Sequence, residues 1–214
     1  MTPKAVIFDC DGVLVDSEPQ SNVILVENLK RHGLPLTQDE CEHLFIGGAM
    51  RSVGDRAREM GADLPDNWID EIYSEIYASL RQGTPKVQGI DTVLDRLDAA
   101  NIPYAVGSNG SEEKMDITLG QTGLKQRFGG RIFSAHTYET AKPDPQLFLI
   151  AAKALGVAAT DCAVVDDSPA GCIAARRAGM RCFGFAERTA PDRLADEGAE
   201  PVASMADLLA KLGV

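Results

Sequence analysis

Short, continuous runs of apolar residues recur along the chain, and polar or turn-forming residues follow each of them. The runs lie at residues 5–8, 104–106, 132–133, 162–165 and 182–185. Apolar runs of this length are typical of strands that are buried on both faces of a parallel sheet. We therefore predict a parallel strand at each run.

Stretches with helical spacing separate these runs. The apolar residues that would share one helix face are Val93, Leu94 and Leu97, then Leu147, Phe148, Ala151, Ala152 and Leu155, and then Ile173, Ala174 and Ala178. Gly179 follows the last group and is a typical residue at a helix C-terminus. Strands that alternate with helices predict an α/β fold, in which a parallel sheet carries helices on both faces.

The alternation is interrupted from about residue 17 to about residue 85, where apolar positions follow helical spacing only. One stripe contains Val23, Leu25, Val26 and Leu29, and another contains Ile69, Ile72, Tyr73, Ile76 and Leu80. We predict that residues 1–16 and 86–214 form the core and that residues 17–85 form an inserted all-helical domain. The two connecting segments could act as a hinge. Asp16 precedes the insertion, and we expect it to cap the first inserted helix, with a role in the hinge as the alternative.

The composition limits the classes of partner. The chain has 214 residues, with 32 Asp and Glu against 21 Lys and Arg, and a formal charge of −11. Phosphate backbones and anionic membranes repel such a chain, so we expect no nucleic-acid or membrane partner. Five scattered cysteines form no CxxC pair, which argues against a disulfide framework or a zinc site. The sequence shows no apolar export segment and no apolar run near the ~18 residues that span a bilayer. We expect a cytoplasmic monomer or weak homodimer.

Every candidate for chemistry follows one of the predicted strands. The candidates are Asp9 and Asp11 after the first strand, Ser108 and Asn109 after the second, Lys142 some way after the third, and Asp166 and Asp167 after the fourth. Each residue alone is also common in turns and helix caps. The carboxyl ends of parallel strands meet at one edge, however, and form the binding crevice there. Acids gathered at that edge would repel each other unless something compensates their charge.

A hard divalent cation among these acids would cancel the repulsion. Mg²⁺ prefers oxygen ligands, usually one or two carboxylates together with water and a substrate phosphate. Lys142, the Ser108 hydroxyl and backbone N–H groups near Asn109 could then bind the anionic oxygens of the same substrate. One carboxylate would attack phosphorus, and a second would protonate the leaving oxygen and then activate water. Asp9 and Asp11 have the spacing for these two roles.

Four segments resemble the motifs of one enzyme superfamily, in the same order along the chain. Residues 9–18 (DCDGVLVDSE) resemble motif I of the haloacid dehalogenase (HAD) superfamily, and residues 108–109 (SN) resemble its motif II. Residues 142–143 (KP) resemble motif III, and residues 166–168 (DDS) resemble motif IV. The resemblance covers the whole core. It implies a Rossmann-like sheet and a helical C1 cap in the insertion.

The resemblance also implies a role for each motif residue. Asp9 would be the nucleophile and Asp11 the general acid and base, while Ser108 and Lys142 would bind the phosphate. The Mg²⁺ ligands would be Asp9, the backbone carbonyl of Asp11, Asp167 and, in an assisting role, Asp166.

The aspartate at position 11 narrows the choice of reaction within the superfamily. Haloacid dehalogenases lack an aspartate at this position and phosphonatases carry a small residue there, so both reactions are disfavoured. β-Phosphoglucomutases are similar in motifs I and IV, but they carry a histidine where this chain has Ser21 and a basic cap loop where it has residues 46–50 (IGGAM). The core motifs also resemble bacterial sugar-phosphate phosphatases of the 6-phosphogluconate phosphatase type. We expect a Mg²⁺-dependent phosphatase that hydrolyses a small phosphorylated metabolite, a sugar phosphate, through an aspartyl-phosphate intermediate.

Two alternatives to a phosphatase stay open. A phosphosugar mutase could use other cap residues. A phospho-accepting signalling module also combines acids, a hydroxyl and a lysine on an α/β sheet, but its acid pair follows the first strand and it has no use for a helical insertion. In the insertion, Arg51 follows a glycine-containing loop. We expect Arg51 to contact a second anionic group of the substrate, with a solvated surface arginine as the alternative.

Overall fold

The computed structural model describes residues 2–45 and 50–214. These residues form two compact units. The core unit consists of Met1–Asp16 and Pro85–Val214, and the helical unit consists of Ser17–Thr84. Pro85 thus belongs to the core unit, whereas the sequence pattern placed it in the insertion.

In the described part of the core unit, six strands form one parallel sheet. They are β1 (Ala5–Phe8), β2 (Tyr104–Ser108), β3 (Ile132–Ser134), β4 (Cys162–Asp166), β5 (Arg181–Phe185) and β6 (Glu200–Val202). The predicted strands are confirmed, and β6 was not predicted. Its three residues begin with an exposed glutamate followed by Pro201, so no apolar run marks it. Proline is tolerated there because β6 is an edge strand.

The strand order is β3-β2-β1-β4-β5-β6, so the chain builds the sheet outward from β1 in both directions. β1 pairs with β2 through Val6 and Tyr104 and with β4 through Val6 and Ala163. The order reverses between β1 and β4. In open parallel sheets, this is where a binding crevice opens beyond the carboxyl ends of the strands.

Helices cover both faces of the sheet, which confirms the α/β prediction. The core helices are α5 (Ile90–Ala99), α6 (Glu112–Gln121), α7 (Leu124–Phe128), α8 (Gln146–Leu155), α9 (Pro169–Arg177), α10 (Pro191–Ala195) and α11 (Met205–Leu212). Val6 and Phe8 of β1 pack with α5, α6, α7 and α11, while Ala5 and Ile7 pack with α8, α9 and α10. Successive side chains of a strand point to opposite faces, so all four residues of β1 are buried.

The helical unit contains α1 (Glu18–Arg31), α2 (Gln38–Phe45), α3 (Met50–Glu59) and α4 (Trp68–Leu80). The two predicted apolar stripes lie on α1 and α4. Trp68 is fully buried, and its Nε1–H donates to Asn28 Oδ1 at 2.7 Å. Gly54 of α3 lies against the same ring, since a Cβ there would be 2.8 Å from Trp68 Cζ3. The ring, with its N–H satisfied, joins α1, α3 and α4. Across the described residues, no helix combines the length and apolarity that crossing a membrane requires.

Candidate active site

Lys142 connects two carboxylates that come from different strands. Its Nζ donates to Asp9 Oδ1 at 2.7 Å and to Asp166 Oδ2 at 2.7 Å. Asp9 directly follows β1 and Asp166 is the last residue of β4, which are neighbouring strands. All three side chains are buried. Parallel pairing of β1 and β4 therefore creates one charge cluster from residues that lie far apart in sequence.

Both carboxylate oxygens of Asp166 accept hydrogen bonds. Oδ2 accepts from Lys142, and Oδ1 accepts from the backbone N–H of Ser168 at 3.0 Å and from its hydroxyl at 2.7 Å. The same hydroxyl accepts from the N–H of Gly171 and so caps α9. A Cβ at Gly171 would lie 1.9 Å from Asp166 Cγ. The start of α9 is thus shaped around this carboxylate, and any side chain at position 171 would displace it.

Three carboxylates lie close enough to share a cation. Oxygen atoms of Asp9, Asp166 and Asp167 are all within 4.8 Å of one another. Gly12 brings the loop after β1 up to Asp167, since a Cβ at position 12 would lie 2.1 Å from Asp167 Oδ2. Its φ of +75° is also in the region that favours glycine. The structure therefore brings together three of the residues that the sequence suggested as metal ligands.

The Asp11 side chain is directed to a different partner. Its Oδ2 lies 2.9 Å from Lys114 Nζ, and each of the two side chains is 20% exposed. Lys114 was not among the predicted site residues. Ser111 caps α6 and places Lys114 in the first turn of that helix. A cation in a first turn is disfavoured by the helix dipole, and the ion pair with Asp11 compensates for that position.

Ser108 and Asn109 lie at the end of β2, as predicted. Ser108 is buried, and its hydroxyl accepts from the backbone N–H of Gly110 at 3.1 Å. The Asn109 side chain contacts the backbone of Lys142: its Oδ1 accepts from the Lys142 N–H at 2.9 Å, and its Nδ2 donates to the Lys142 carbonyl at 3.4 Å. Asn109 thereby fixes the loop that carries Lys142. The bond between Lys142 and Pro143 is cis.

Burial and ion pairing have opposing effects on the pKa values of this cluster. Burial raises the pKa of Asp9 to about 6, against the opposing effect of Lys142 and with a further rise from Asp166. Burial alone would lower the pKa of Lys142, but Asp166 and Asp9 together hold it above its ordinary value. Cys10 lies between the two motif aspartates and is fully buried. Burial, followed by Asp11 and Asp9, raises its pKa well above the ordinary value, so it is a neutral thiol at pH 7.

Two sequence-based expectations concern residues outside this cluster. Arg51 lies in the first turn of α3 in the helical unit, with an exposed side chain, and its contact with substrate stays a prediction. The preceding cap loop, residues 46–49, lies outside the described residues. The expectation that Asp16 caps α1 is wrong. The N-cap of α1 is Ser17, and both Asp16 oxygens accept from Arg188 Nη2, at 3.0 and 2.9 Å.

The geometry and the motif order can be compared with known proteins. The sequence profile of haloacid dehalogenase-like hydrolases matches residues 3–179. This chain belongs to that family. The resemblance to HAD hydrolases that the sequence motifs predicted is therefore confirmed. The chain is 33% identical to the 6-phosphogluconate phosphatase of Escherichia coli (strain K12) over 183 residues, which cover 85% of this chain and 82% of that protein.

Two solved HAD structures share the fold over nearly the whole chain. A conserved haloacid dehalogenase-like protein from Agrobacterium tumefaciens str. C58 is 32% identical, with a TM-score of 0.88 and coverage of 98% of this chain and 97% of that one. A HAD family hydrolase from Deinococcus radiodurans R1, solved with bound phosphate and sodium, is 29% identical. Its TM-score is 0.85, and the match covers 99% of this chain and 97% of that one.

Proposed function

We propose that this HAD hydrolase is a Mg²⁺-dependent phosphatase that cleaves a small phosphorylated metabolite through an aspartyl phosphate on Asp9. The observation that carries the proposal is the buried ion pair of Lys142 with Asp9 and Asp166, beside a third carboxylate. A carboxylate nucleophile needs a cationic group that also attracts the anionic phosphoryl group. Lys142 is within hydrogen-bond distance of Asp9 and meets this need.

The residues of the site fit a magnesium ion. The described carboxylates of this edge are Asp9, Asp11, Asp166 and Asp167, and their ammonium partners are Lys114 and Lys142. Oxygen atoms of Asp9, Asp166 and Asp167 lie within 4.8 Å of one another, and a divalent cation among them would offset their mutual repulsion. Carboxylate oxygens are the ligand type that Mg²⁺ prefers. Asp9, Asp166 and Asp167 would hold the ion, with the backbone carbonyl of Asp11. When bound, Mg²⁺ neutralises phosphoryl oxygens and orients the phosphate for attack.

In the first step, Asp9 forms a bond to phosphorus as the bond from phosphorus to the substrate alcohol breaks. Asp11, which must enter this step protonated, gives its proton to the departing oxygen. Lys142 and the Ser108 hydroxyl bind the phosphoryl oxygens, on which negative charge accumulates. Asn109 contributes by fixing the backbone of Lys142.

In the second step, Asp11 takes a proton from water, and the water oxygen attacks phosphorus. The bond from phosphorus to Asp9 breaks, which releases inorganic phosphate and restores the Asp9 carboxylate. The two steps together hydrolyse a phosphate monoester and leave both aspartates as they began.

A sugar phosphate is the proposed substrate class. The support is the 33% identity to a 6-phosphogluconate phosphatase and the phosphate bound by the HAD hydrolase of D. radiodurans. Ser21 stands where the β-phosphoglucomutase branch has a histidine, and its hydroxyl donates to the Ser17 carbonyl of its own helix. We further propose that the helical unit acts as the specificity cap and that Arg51 contacts a second anionic group of the substrate.

The test is phosphate release from sugar phosphates, phosphoglycolate, nucleotides and p-nitrophenyl phosphate, each measured with Mg²⁺ and with EDTA. We expect release that requires Mg²⁺ and disappears in Asp9→Asn. Asp116→Asn is the matched control, since Asp116 pairs with Lys125 at the surface, and it should retain full activity. Release that survives Asp9→Asn would refute the aspartyl phosphate on Asp9. Phosphoryl transfer within a hexose phosphate, without release, would identify a mutase.

A further inference from the structure

The ion pair between Lys114 and Asp11 has no assigned role in the steps above. The N–O distance is 2.9 Å, and both side chains are 20% exposed. Exposed ion pairs are weakly held because water and salt screen them. This pair is mostly shielded, so it restricts the orientation of the Asp11 carboxylate more than a surface pair would.

The backbone of Lys114 is anchored in the first turn of α6. Its N–H donates to the Ser111 hydroxyl at 3.1 Å, and its carbonyl accepts from Thr118 Oγ1 at 3.1 Å. Long side chains on helices point toward the helix N-terminus, which for α6 is the direction of the loop after β2. Lys114 thus reaches Asp11 from a fixed backbone position, with only its own side chain free to move.

Gly110 brings the phosphate-binding loop against the same pair. A Cβ at this position would lie 3.3 Å from Ser108 Oγ, 3.5 Å from Asp11 Oδ2 and 3.9 Å from Lys114 Cδ. The proposed phosphate-binding hydroxyl, the proposed acid and base, and Lys114 therefore surround one glycine. The short segment from Ser108 to Lys114 supplies both a phosphate-binding group and the partner of Asp11.

The two lysines contact different carboxylates. Lys142 contacts Asp9 and Asp166, while Lys114 contacts Asp11. We propose that Lys114 is a positioning residue for proton transfer, because its ion pair orients the Asp11 carboxylate and separates it from Asp9. This inference rests on the proposed phosphatase function, and it adds Lys114 to the residues that function requires.

The test compares substrates that differ in their need for a proton. A sugar phosphate releases an alkoxide that must be protonated, whereas p-nitrophenyl phosphate releases a stable phenolate. In Lys114→Met we expect kcat for the sugar phosphate to fall on the order of 10- to 100-fold, with KM unchanged within about twofold. Single-turnover release of p-nitrophenolate should fall much less. Lys114→Arg should restore most of the activity because it retains the ion pair.

The controls separate positioning from other roles. Lys125→Met removes a lysine from the surface pair with Asp116 and should match wild type. The rise in melting temperature caused by Mg²⁺ should persist in Lys114→Met. In an Asp11→Asn background, Lys114→Met should cause no further fall in kcat.

The remaining outcomes overturn the inference. A rise in KM with kcat unchanged for both substrates would mean that Lys114 binds the phosphate. An equal fall in the single-turnover rates of both substrates would mean a structural role. Wild-type activity in Lys114→Met would refute the positioning role alone. A wild-type enzyme that releases no phosphate from any substrate would refute the proposed function, and the positioning role with it.

Discussion

Lys142 and Asp166 form an ion pair of 2.7 Å in which the lysine side chain is 3% exposed and the aspartate side chain is fully buried. Charges this deep persist only when they are paired and hydrogen-bonded. Ser168 satisfies the other oxygen of Asp166, and Asp9 is the second partner of Lys142. The pair therefore belongs to a buried network that contributes both to the folded state and to the proposed chemistry.

We expect Lys142→Met to lower the free energy of unfolding by about 3 kcal/mol in the presence of EDTA, because it leaves two buried carboxylates without their ammonium partner. Urea denaturation measures this quantity. Mg²⁺ should recover part of the loss, since it supplies positive charge to the same carboxylates. Lys125→Met, which removes a lysine from an exposed pair, should change the unfolding free energy much less. Equal losses in the two variants would contradict the importance of the buried pair.

Substitution of Gly171 tests the space around Asp166, and Gly120 is the control position. Both lie within helices, but a Cβ at Gly171 would overlap Asp166, whereas a Cβ at Gly120 meets no atom within 4 Å. Gly171→Ala should lower the free energy of unfolding by about 1–3 kcal/mol through overpacking and should reduce activity strongly, because Asp166 and Lys142 must shift. Gly120→Ala should be neutral or stabilising by up to about 1 kcal/mol. Urea denaturation and phosphate release measure the two effects, and a harmless Gly171→Ala would disprove this packing argument.

Metal binding can be measured without activity. Mg²⁺ should raise the melting temperature of the wild-type protein, since a ligand that binds only the folded state stabilises it. Asp167→Asn should weaken Mg²⁺ binding at least about tenfold, as judged by calorimetric titration. Asp95→Asn is the control, because Asp95 pairs with Arg127 at the surface. An unchanged affinity in Asp167→Asn would exclude Asp167 as a ligand.

Local patterns predicted much of this molecule, and contacts between distant elements account for what they missed. The acids could be placed because a strand end is visible in the sequence and parallel strands end at one edge. β6 was missed because Glu200 and Pro201 replace an apolar run. Asp16 was assigned to a helix cap because caps are local, whereas its partner Arg188 is 172 residues away.

Within the site, Lys114 was missed for the same reason, since its partner lies on a distant part of the chain. Its helix start was visible, but its contact with Asp11 depends on how α6 packs beside β1. The role expected of Asn109 was likewise incomplete. The sequence placed it at the strand end, while its contact with the backbone of Lys142 depends on how the loop after β3 folds.

The helical unit offers a pH-dependent prediction. Glu71 of α4 accepts from His32 Nε2 at 2.9 Å and from Asn28 Nδ2 at 3.0 Å. The hydrogen bond from His32 lowers the pKa of Glu71 below its ordinary value of 4.5, and Asn28 and the charges of His32 and Arg31 act in the same direction. A lowered pKa means that the ionised carboxylate stabilises the fold above pH 4.5, and that this contribution is lost as the pH falls through the folded pKa.

We therefore expect Glu71→Gln to be less stable than wild type by about 0.5–1 kcal/mol near pH 6, with the difference closing below pH 4.5. Trp68 is the single tryptophan of the chain and belongs to the same helical unit, so its fluorescence during urea denaturation reports on this region. Glu59→Gln, at an exposed position, should follow wild type at every pH. A stability difference that stays constant from pH 6 to pH 3 would show that the ionised Glu71 carboxylate is not what stabilises the unit.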